Sequence, residues 1–328
     1  MILITGTTGL VGSHLLRRLL AVDKATKIRA LKRANSNMDL VSDLADVAAV
    51  EWVDADILDT EALYEAMEGV EVVYHCAALV SFVPSEASQM RRANEEGTAN
   101  VVNMALERGV KKLLYVSSIA AIGRSSQTKH IKEATEWEDN PMNSNYAISK
   151  YLGEQQVWRG MAEGLDVLVV NPSVILGEGD YGRSSGRLFG RVYEGLRFYS
   201  KGRTGFVDVL DVVDIMAKLM ERNIKNERFI LNAENVTYRT FFEKVAAVLG
   251  KKAPTIEAQA WMAALAWRLE KIKAMFTKKT PLITKETART AQATYFYENQ
   301  KIKKALNYTF RPLDETIGRV GADFLKKV

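Results

Sequence analysis

Three side chains of this 328-residue chain have the types and spacing for proton transfer at a carbonyl or an alcohol. Tyr146 and Lys150 stand four apart in Tyr146-Ala-Ile-Ser-Lys150, so on a helix they share one face. A cationic ammonium near a phenol favours the phenolate and lowers its pKa. Tyr146 then serves as proton donor or acceptor, and Lys150 can also hold a ribose. Ser118 ends the apolar run Leu113-Leu-Tyr-Val-Ser-Ser118, where a hydroxyl can bind a substrate oxygen and orient it toward Tyr146. Ser117 is its nearest rival, with strand-end capping as the plainer role. Taken singly, a Tyr-x-x-x-Lys match also fits an ordinary helix with one buried aromatic and one exposed lysine.

A site for a hydride carrier stands at the other end of the pattern. The apolar run Met1–Thr5 leads directly into Gly6-Thr-Thr-Gly9-Leu-Val-Gly12. A β-branched run, spaced glycines and an amphipathic stretch read as strand, tight turn and helix, the unit that binds a dinucleotide pyrophosphate. Gly6 permits the turn, Gly9 lets backbone N–H groups approach the phosphates, and Gly12 lets the helix pack on the strand. Thr8, Leu10 and Val11 complete the loop, and the helix N-terminus adds partial positive charge. The end of the second strand reads Arg29-Ala-Leu-Lys32-Arg33-Ala-Asn-Ser36, with no carboxylate. An acid there would bond the ribose 2′-OH of NAD, whereas an arginine accepts a 2′-phosphate. Arg33 can stack on adenine and pair with that phosphate, with Lys32 and Ser36 assisting. NADP is therefore the expected cofactor and NAD the alternative.

These groups need a scaffold, and the first half of the chain supplies one. Strand candidates are Met1–Thr5, Lys27–Leu31, Val50–Asp54, Val70–Cys76, Lys112–Ser117 and Asp166–Asn171. Helical stretches lie between them at Leu10–Ala21, Met38–Val47, Thr60–Met67, Ser85–Arg108 and Ser144–Glu163. This alternation predicts an α/β fold with a Rossmann-like, doubly wound parallel sheet. Right-handed crossovers put the strand C-terminal ends along one edge, where ligands bind. After Pro172 the pattern changes to the Gly-rich loop Gly177–Gly186. Further on, Phe206–Val213 and Arg228–Leu231 read as strands around the helical Asp214–Arg222; Tyr238–Leu249, Ala258–Phe276 and Leu313–Leu325 read as helices. The expected division is a dinucleotide-binding part, 1–171 and 207–235, and a smaller, mostly helical substrate-binding part, 172–206 and 236–328.

Together the motifs resemble the extended short-chain dehydrogenase/reductase superfamily, in its dihydroflavonol reductase-like and 3β-hydroxysteroid dehydrogenase-like branch. The resemblance covers nearly the whole chain. It rests on the glycine loop, Asp54-Ala-Asp56-Ile57, His75-Cys-Ala-Ala78, Asn94-x-x-Gly97-Thr98-x-Asn100, Val116-Ser-Ser118, Tyr146-x-x-x-Lys150 and Asn171-Pro172-Ser173. It implies Ser118, Tyr146 and Lys150 as the catalytic set, with Asn94 steadying the site from a neighbouring helix. A capping or intrahelical role is the plainer account of Asn94. It also implies Asp56 and Ile57 beside the adenine, Ala77 and Ala78 beside the cofactor's middle, and Pro172 and Ser173 beside the nicotinamide amide. A homodimer through the two long helices follows from the same resemblance.

The implied reaction moves a hydride between nicotinamide and a carbinol carbon while Tyr146 moves the proton. Dehydration is disfavoured, because relatives of that type carry Asp-Glu where this chain has Ile119-Ala120. A nucleoside-diphosphate-sugar epimerase with retained NAD is the alternative, and Arg183, Arg187 and Arg203 could meet its diphosphate or stand as solvated loop charges. A non-catalytic cofactor sensor is a third reading. Val80, Ser81 and Phe82 could line the substrate pocket, Phe82 favouring an apolar or ring-shaped substrate. Asp208 and Leu210 stand where relatives carry histidine and aspartate, so contacts there should not be copied over.

Composition narrows the remaining classes. A formal charge of +5 is mild, and 47% hydrophobic with 26% charged residues is ordinary for a globular chain. The basic residues gather late, at Lys251, Lys252, Lys271, Lys273, Lys278 and Lys279, without aromatic platforms, so no nucleic-acid partner is expected. No run reaches the roughly 18 apolar residues of a membrane span. One cysteine excludes an internal disulfide, and with three histidines no metal site is expected. A small-molecule substrate, no leader sequence and the cytoplasm complete the expectation.

Overall fold

The computed structural model describes residues 1–123, 128–179, 181–182, 184–259, 261–262, 265, 267–268 and 284–328. Its central feature is a seven-stranded sheet. In chain order the first strands are β1 (Ile2–Thr5), β2 (Ile28–Lys32), β3 (Val50–Asp54), β4 (Val72–His75) and β5 (Lys112–Val116), followed by Asp166–Pro172 and Glu227–Leu231. Across the sheet the order is Glu227–Leu231, Asp166–Pro172, β5, β4, β1, β2, β3, and every neighbouring pair is parallel. The order turns between β1 and β4, where Thr5 aligns with His75. Such a reversal of strand order is the place where open α/β sheets bind ligands, beyond the strand C-terminal ends.

Helices cover both faces, which is why the strands read as continuous apolar runs. The described helices are α1 (Leu10–Val22), α2 (Thr60–Ala66), α3 (Ala87–Glu107), α4 (Asn145–Ala162), α5 (Arg187–Tyr193), α6 (Val209–Glu221) and α7 (Tyr238–Leu249), then Lys285–Gln292, Gln300–Leu306 and Leu313–Lys326; those on the sheet are α1, α6 and Gln300–Leu306 on one face and α2, α3 and α4 on the other. Alternate strand residues feed the two faces. Ile4, Leu114, Leu168 and Val170 pack with Leu15 and Leu16 of α1 and with Val212 and Met216 of α6. Leu3, Leu113, Val167 and Val169 pack with Leu63 of α2, Val101 and Val102 of α3 and Val157 of α4.

A separate core gathers Phe189 of α5, Phe206, Phe241 of α7 and Phe324 of the last helix. A three-stranded sheet borders it, in the order Glu234–Thr237, Arg203–Asp208, Val174–Leu176.

Some local expectations differ. Residues 209–213 are helical, not strand, because the Asp208 carboxylate accepts the Leu210 N–H at 2.8 Å and caps α6. The expected helix Met38–Val47 is a 3-10 segment, Asp39–Leu44. Most of Ala258–Phe276 lies outside the described residues; Trp261 and Leu265 are exposed. No described helix is long and apolar enough to cross a membrane.

Candidate active site

The glycine loop closes tightly on itself. Gly6 sits at φ +68°, where a side chain is strained, and its carbonyl accepts the Gly9 N–H at 3.0 Å. A Cβ on Gly6 would stand 2.6 Å from the Ala77 nitrogen, and one on Gly12 would stand 2.2 Å from the Gly6 oxygen. Both glycines are therefore required for the backbones of β1, α1 and the segment after β4 to meet. Gly9 caps α1 with no side chain bonded to the helix start. The first N–H groups of this 13-residue helix keep their donors for an anion. Thr8, Leu10 and Val11 are part-buried around that opening. This chain thus fits a dinucleotide on its own geometry.

The Asn94…Asn100 motif proves to be a set of clamps. Asn94, buried on α3, accepts the Leu79 N–H at 2.7 Å, donates to the Leu79 carbonyl at 2.9 Å and to Ser149 Oγ of α4 at 2.9 Å. It thereby holds the segment after Ala77 and Ala78 against both helices. Thr98 reaches His75 Nε2 at 3.0 Å, while Thr5 Oγ1 meets His75 Nδ1 at 2.7 Å and accepts the Ala77 N–H at 3.1 Å. Burial pushes the His75 pKa down to about 3, so the imidazole stays neutral and structural. Asn100 donates to the Ile57 carbonyl at 3.0 Å, and the Ile57 side chain fills the space over Gly97. Asp56 accepts the Leu58 N–H at 2.9 Å and shapes the turn after β3.

Ser118, Tyr146 and Lys150 converge past the end of β5. Ser118 accepts the Ala120 N–H at 3.1 Å, and its side chain stands near enough to the Tyr146 phenol to lower that group's pKa. Ser144 caps α4 through the Ala147 N–H, which sets Tyr146 in the first turn. Lys150, fully buried one turn on, donates to the Tyr115 hydroxyl at 2.7 Å and the Val116 carbonyl at 2.8 Å. The expected ammonium-to-Tyr146 approach is therefore replaced by a contact with a second phenol. The Tyr146 pKa nevertheless moves up, since burial outweighs the effect of Ser118. Burial brings the Lys150 pKa down to about 7, against the attraction of Glu154. Ser117 faces away from this group and donates to Glu154 at 2.6 Å.

Other expected residues are more dispersed. The Arg33 guanidinium is exposed and has no acidic partner among the described residues, while Lys32 is paired with Asp54. The Arg33 backbone is turned by Ser36, whose Oγ accepts its N–H at 3.0 Å. Pro172 and Ser173 end the strand beside β5; the Ser173 N–H bonds to the Leu231 carbonyl at 2.9 Å. Ser173 Oγ and Asn171 Oδ1 are buried without a protein partner among the described residues. The Phe82 ring lies 5.6 Å from the Tyr146 ring, and Val80 is exposed. Ser81 instead turns inward, accepting the Val83 N–H at 3.1 Å. Arg187, at the start of α5, is half-buried and unpaired among the described residues; Arg183 lies outside them. Arg203 is occupied by the Asn235 carbonyl at 2.8 Å. Asp208 pairs with Arg319 of the last helix at 2.6 Å, which gives this buried acid its cation.

Sequence reasoning missed Tyr115 and Glu154. The signal for Glu154 was present: Tyr146, Lys150 and Glu154 follow at intervals of four, one per helical turn.

The comparisons with known proteins agree with the fold. The model of the NAD dependent epimerase/dehydratase family matches residues 2–232. The chain is 27% identical to a putative dihydroflavonol 4-reductase of Synechocystis, over 92% of this chain and 88% of that protein. It is 30% identical to sterol demethylase protein B of Methylococcus capsulatus, over 77% and 76%. The solved structure of gox2253 superposes with a TM-score of 0.84 at 30% identity, covering 100% of this chain and 98% of that one.

Proposed function

The chain belongs to the NAD dependent epimerase/dehydratase family, a family of enzymes, and from that premise we propose that it is an NADP-using reductase or dehydrogenase acting on a secondary alcohol or ketone. The carrying observation is that Ser118, the Tyr146 phenol and buried Lys150 gather past the end of β5, at the sheet edge that also holds the uncapped start of α1. A bound nicotinamide supplies or accepts the hydride at this edge. The uncapped N–H groups of α1 bind the pyrophosphate, and the Asn94, Thr98 and Asn100 clamps hold the loops around it. Ser118 orients the substrate oxygen, and the Tyr146 Oη gives or takes its proton. Lys150 holds the ribose through the N–H that Tyr115 and Val116 leave open. Ser173 Oγ and Asn171 Oδ1 suit the polar nicotinamide end as unpaired buried acceptors. Arg33 supports NADP, since its charge is uncommitted.

Val80 and Phe82 make an apolar wall, which favours a ketone carrying an apolar or ring-shaped body. The segments 172–206 and 236–328 would close over it as the substrate-binding part, with a homodimer formed through α3 and α4. A second reading, a nucleoside-diphosphate-sugar epimerase, is favoured by Arg187, which has no partner among the described residues and could meet a diphosphate. Two measurements separate the readings. Native mass spectrometry of the purified protein reveals any retained NAD, the mark of an epimerase. NADPH consumption with a panel of aliphatic, aromatic and ring ketones marks a reductase. Absence of NADPH consumption together with retained NAD would overturn the reductase proposal.

A further inference from the structure

The fold buries one carboxylate that the proposed proton and hydride steps leave unused. Glu154 is 1% exposed and stands on α4 one turn beyond Lys150. Its Oε2 accepts from Ser117 Oγ at 2.6 Å and from Asn171 Nδ2 at 2.9 Å. Its Oε1 accepts from Arg228 at 3.0 Å and from Trp158 Nε1 at 3.2 Å. Taking a carboxylate out of water is costly, and an apolar residue of similar volume would often serve stability as well or better. The one cation paired with it, Arg228, is itself a quarter exposed. Stability alone is therefore a weak reason for an acid at this position.

What the carboxylate does gain is geometry. Three of these four donors come from neighbouring strands: Ser117 just past β5, Asn171 in Asp166–Pro172, and Arg228 in Glu227–Leu231; Trp158 is on α4 itself. Asn171 uses its second N–H on the Ser118 carbonyl at 2.9 Å. One acid thus grips the Ser117 side chain directly and the Ser118 backbone through Asn171. The helix that carries this acid also carries Tyr146 and Lys150. We propose that Glu154 is a positioning residue of the reaction centre, locking the Ser117–Ser118 strand end onto α4 so that Ser118, Tyr146 and Lys150 keep one relative geometry. The inference rests on the hydride-transfer reading for what is being positioned. A half-satisfied version of this network would leave a buried donor facing a donor, which is why an amide should not substitute.

The test compares two ligands by calorimetry on the full chain. NADPH or NADH, whichever binds the wild type more tightly, spans the whole crevice. ADP fills only the adenine and phosphate half, remote from Glu154. In Glu154→Gln the dinucleotide should bind about tenfold more weakly, the scale of a lost charged hydrogen bond, while ADP affinity stays unchanged. Equal weakening of both ligands would mean a merely structural acid and overturn the proposal, as would unchanged dinucleotide binding. Should Glu154→Gln not fold, Ser117→Ala removes a single hydroxyl from the same network. It should weaken the dinucleotide about threefold and spare ADP; wild-type affinity for both in that variant overturns the proposal too. A wild type that binds neither dinucleotide removes the hydride-transfer reading itself, and this inference with it.

Discussion

Lys150 places its ammonium 2.7 Å from the Tyr115 hydroxyl, while Tyr146, one helical turn before it, has Ser118 beside its phenol. The two groups expected to act on each other are held by different partners. Burial sets the Lys150 pKa at about 7, so the ammonium prevails below that pH and the neutral amine above it. Because the folded pKa lies below the ordinary 10.5, this group disfavours folding most below pH 7, and that penalty is relieved as pH rises toward 10.5. Hydride transfer that needs the ammonium should fade as pH rises through about 7 in the free enzyme. A pH–kcat/KM profile reads this step, and Lys150→Met should remove it along with most of the activity.

Tyr146→Phe deletes the phenol oxygen and little volume. Turnover should fall by about 10²–10⁴-fold, the usual range for a general acid or base. Dinucleotide affinity should persist, since α1 and the α3 clamps are untouched. Steady-state rates beside fluorescence titration of NADPH check both halves; retained activity would refute the assignment of the phenol.

Arg33→Ala should separate the two carriers. Loss of a charged contact to a 2′-phosphate weakens NADPH about 10–100-fold, with NADH nearly unaffected. An unchanged NADPH-to-NADH affinity ratio would mean that Arg33 does not select the cofactor.

Two glycines should answer alanine in opposite ways. Gly12→Ala places a methyl 2.2 Å from the Gly6 oxygen and should abolish dinucleotide binding and lower Tm. Gly318→Ala, in the last helix with nothing within 4 Å of its Cβ, should stabilise by about 0.5–1 kcal/mol. Thermal melts of the pair test the geometry of the loop against a helix control.

His75 should show no protonation between pH 5 and 8, because burial lowers its pKa to about 3. Its neutral form contributes stability that is present above pH 6.5 and lost as pH falls toward 3. Imidazole nitrogen shifts in an NMR titration read this directly; a midpoint near 6.5 would contradict the buried Thr5–His75–Thr98 contacts.

Much of the scaffold was legible from local pattern. Gly6, Gly9 and Gly12 after an apolar run announce a strand–turn–helix because few other residues permit that turn. Strand and helix alternation predicts the parallel sheet because each period matches one kind of buried face. The boundary at Asp208 is not readable locally, since Val209–Val213, apolar but for Asp211, fits strand or helix and only the cap decides. The Asn94, Thr98 and Asn100 spacing was visible, yet which loop each residue clamps was not.

The sequence by itself determined which chemical groups exist and how far apart they lie along the chain: a glycine turn, an arginine after the second strand, a serine, and a phenol and an amine four residues apart. Helical and strand periodicity convert such spacing into a shared face. Only the tertiary structure decided the partners, because Tyr115, Glu154 and Asn171 come from different elements and meet Lys150, Ser117 and Ser118 through packing across the sheet. Burial, which sets the Lys150 and His75 pKa values, is likewise a property of all the surrounding chain rather than of any local stretch.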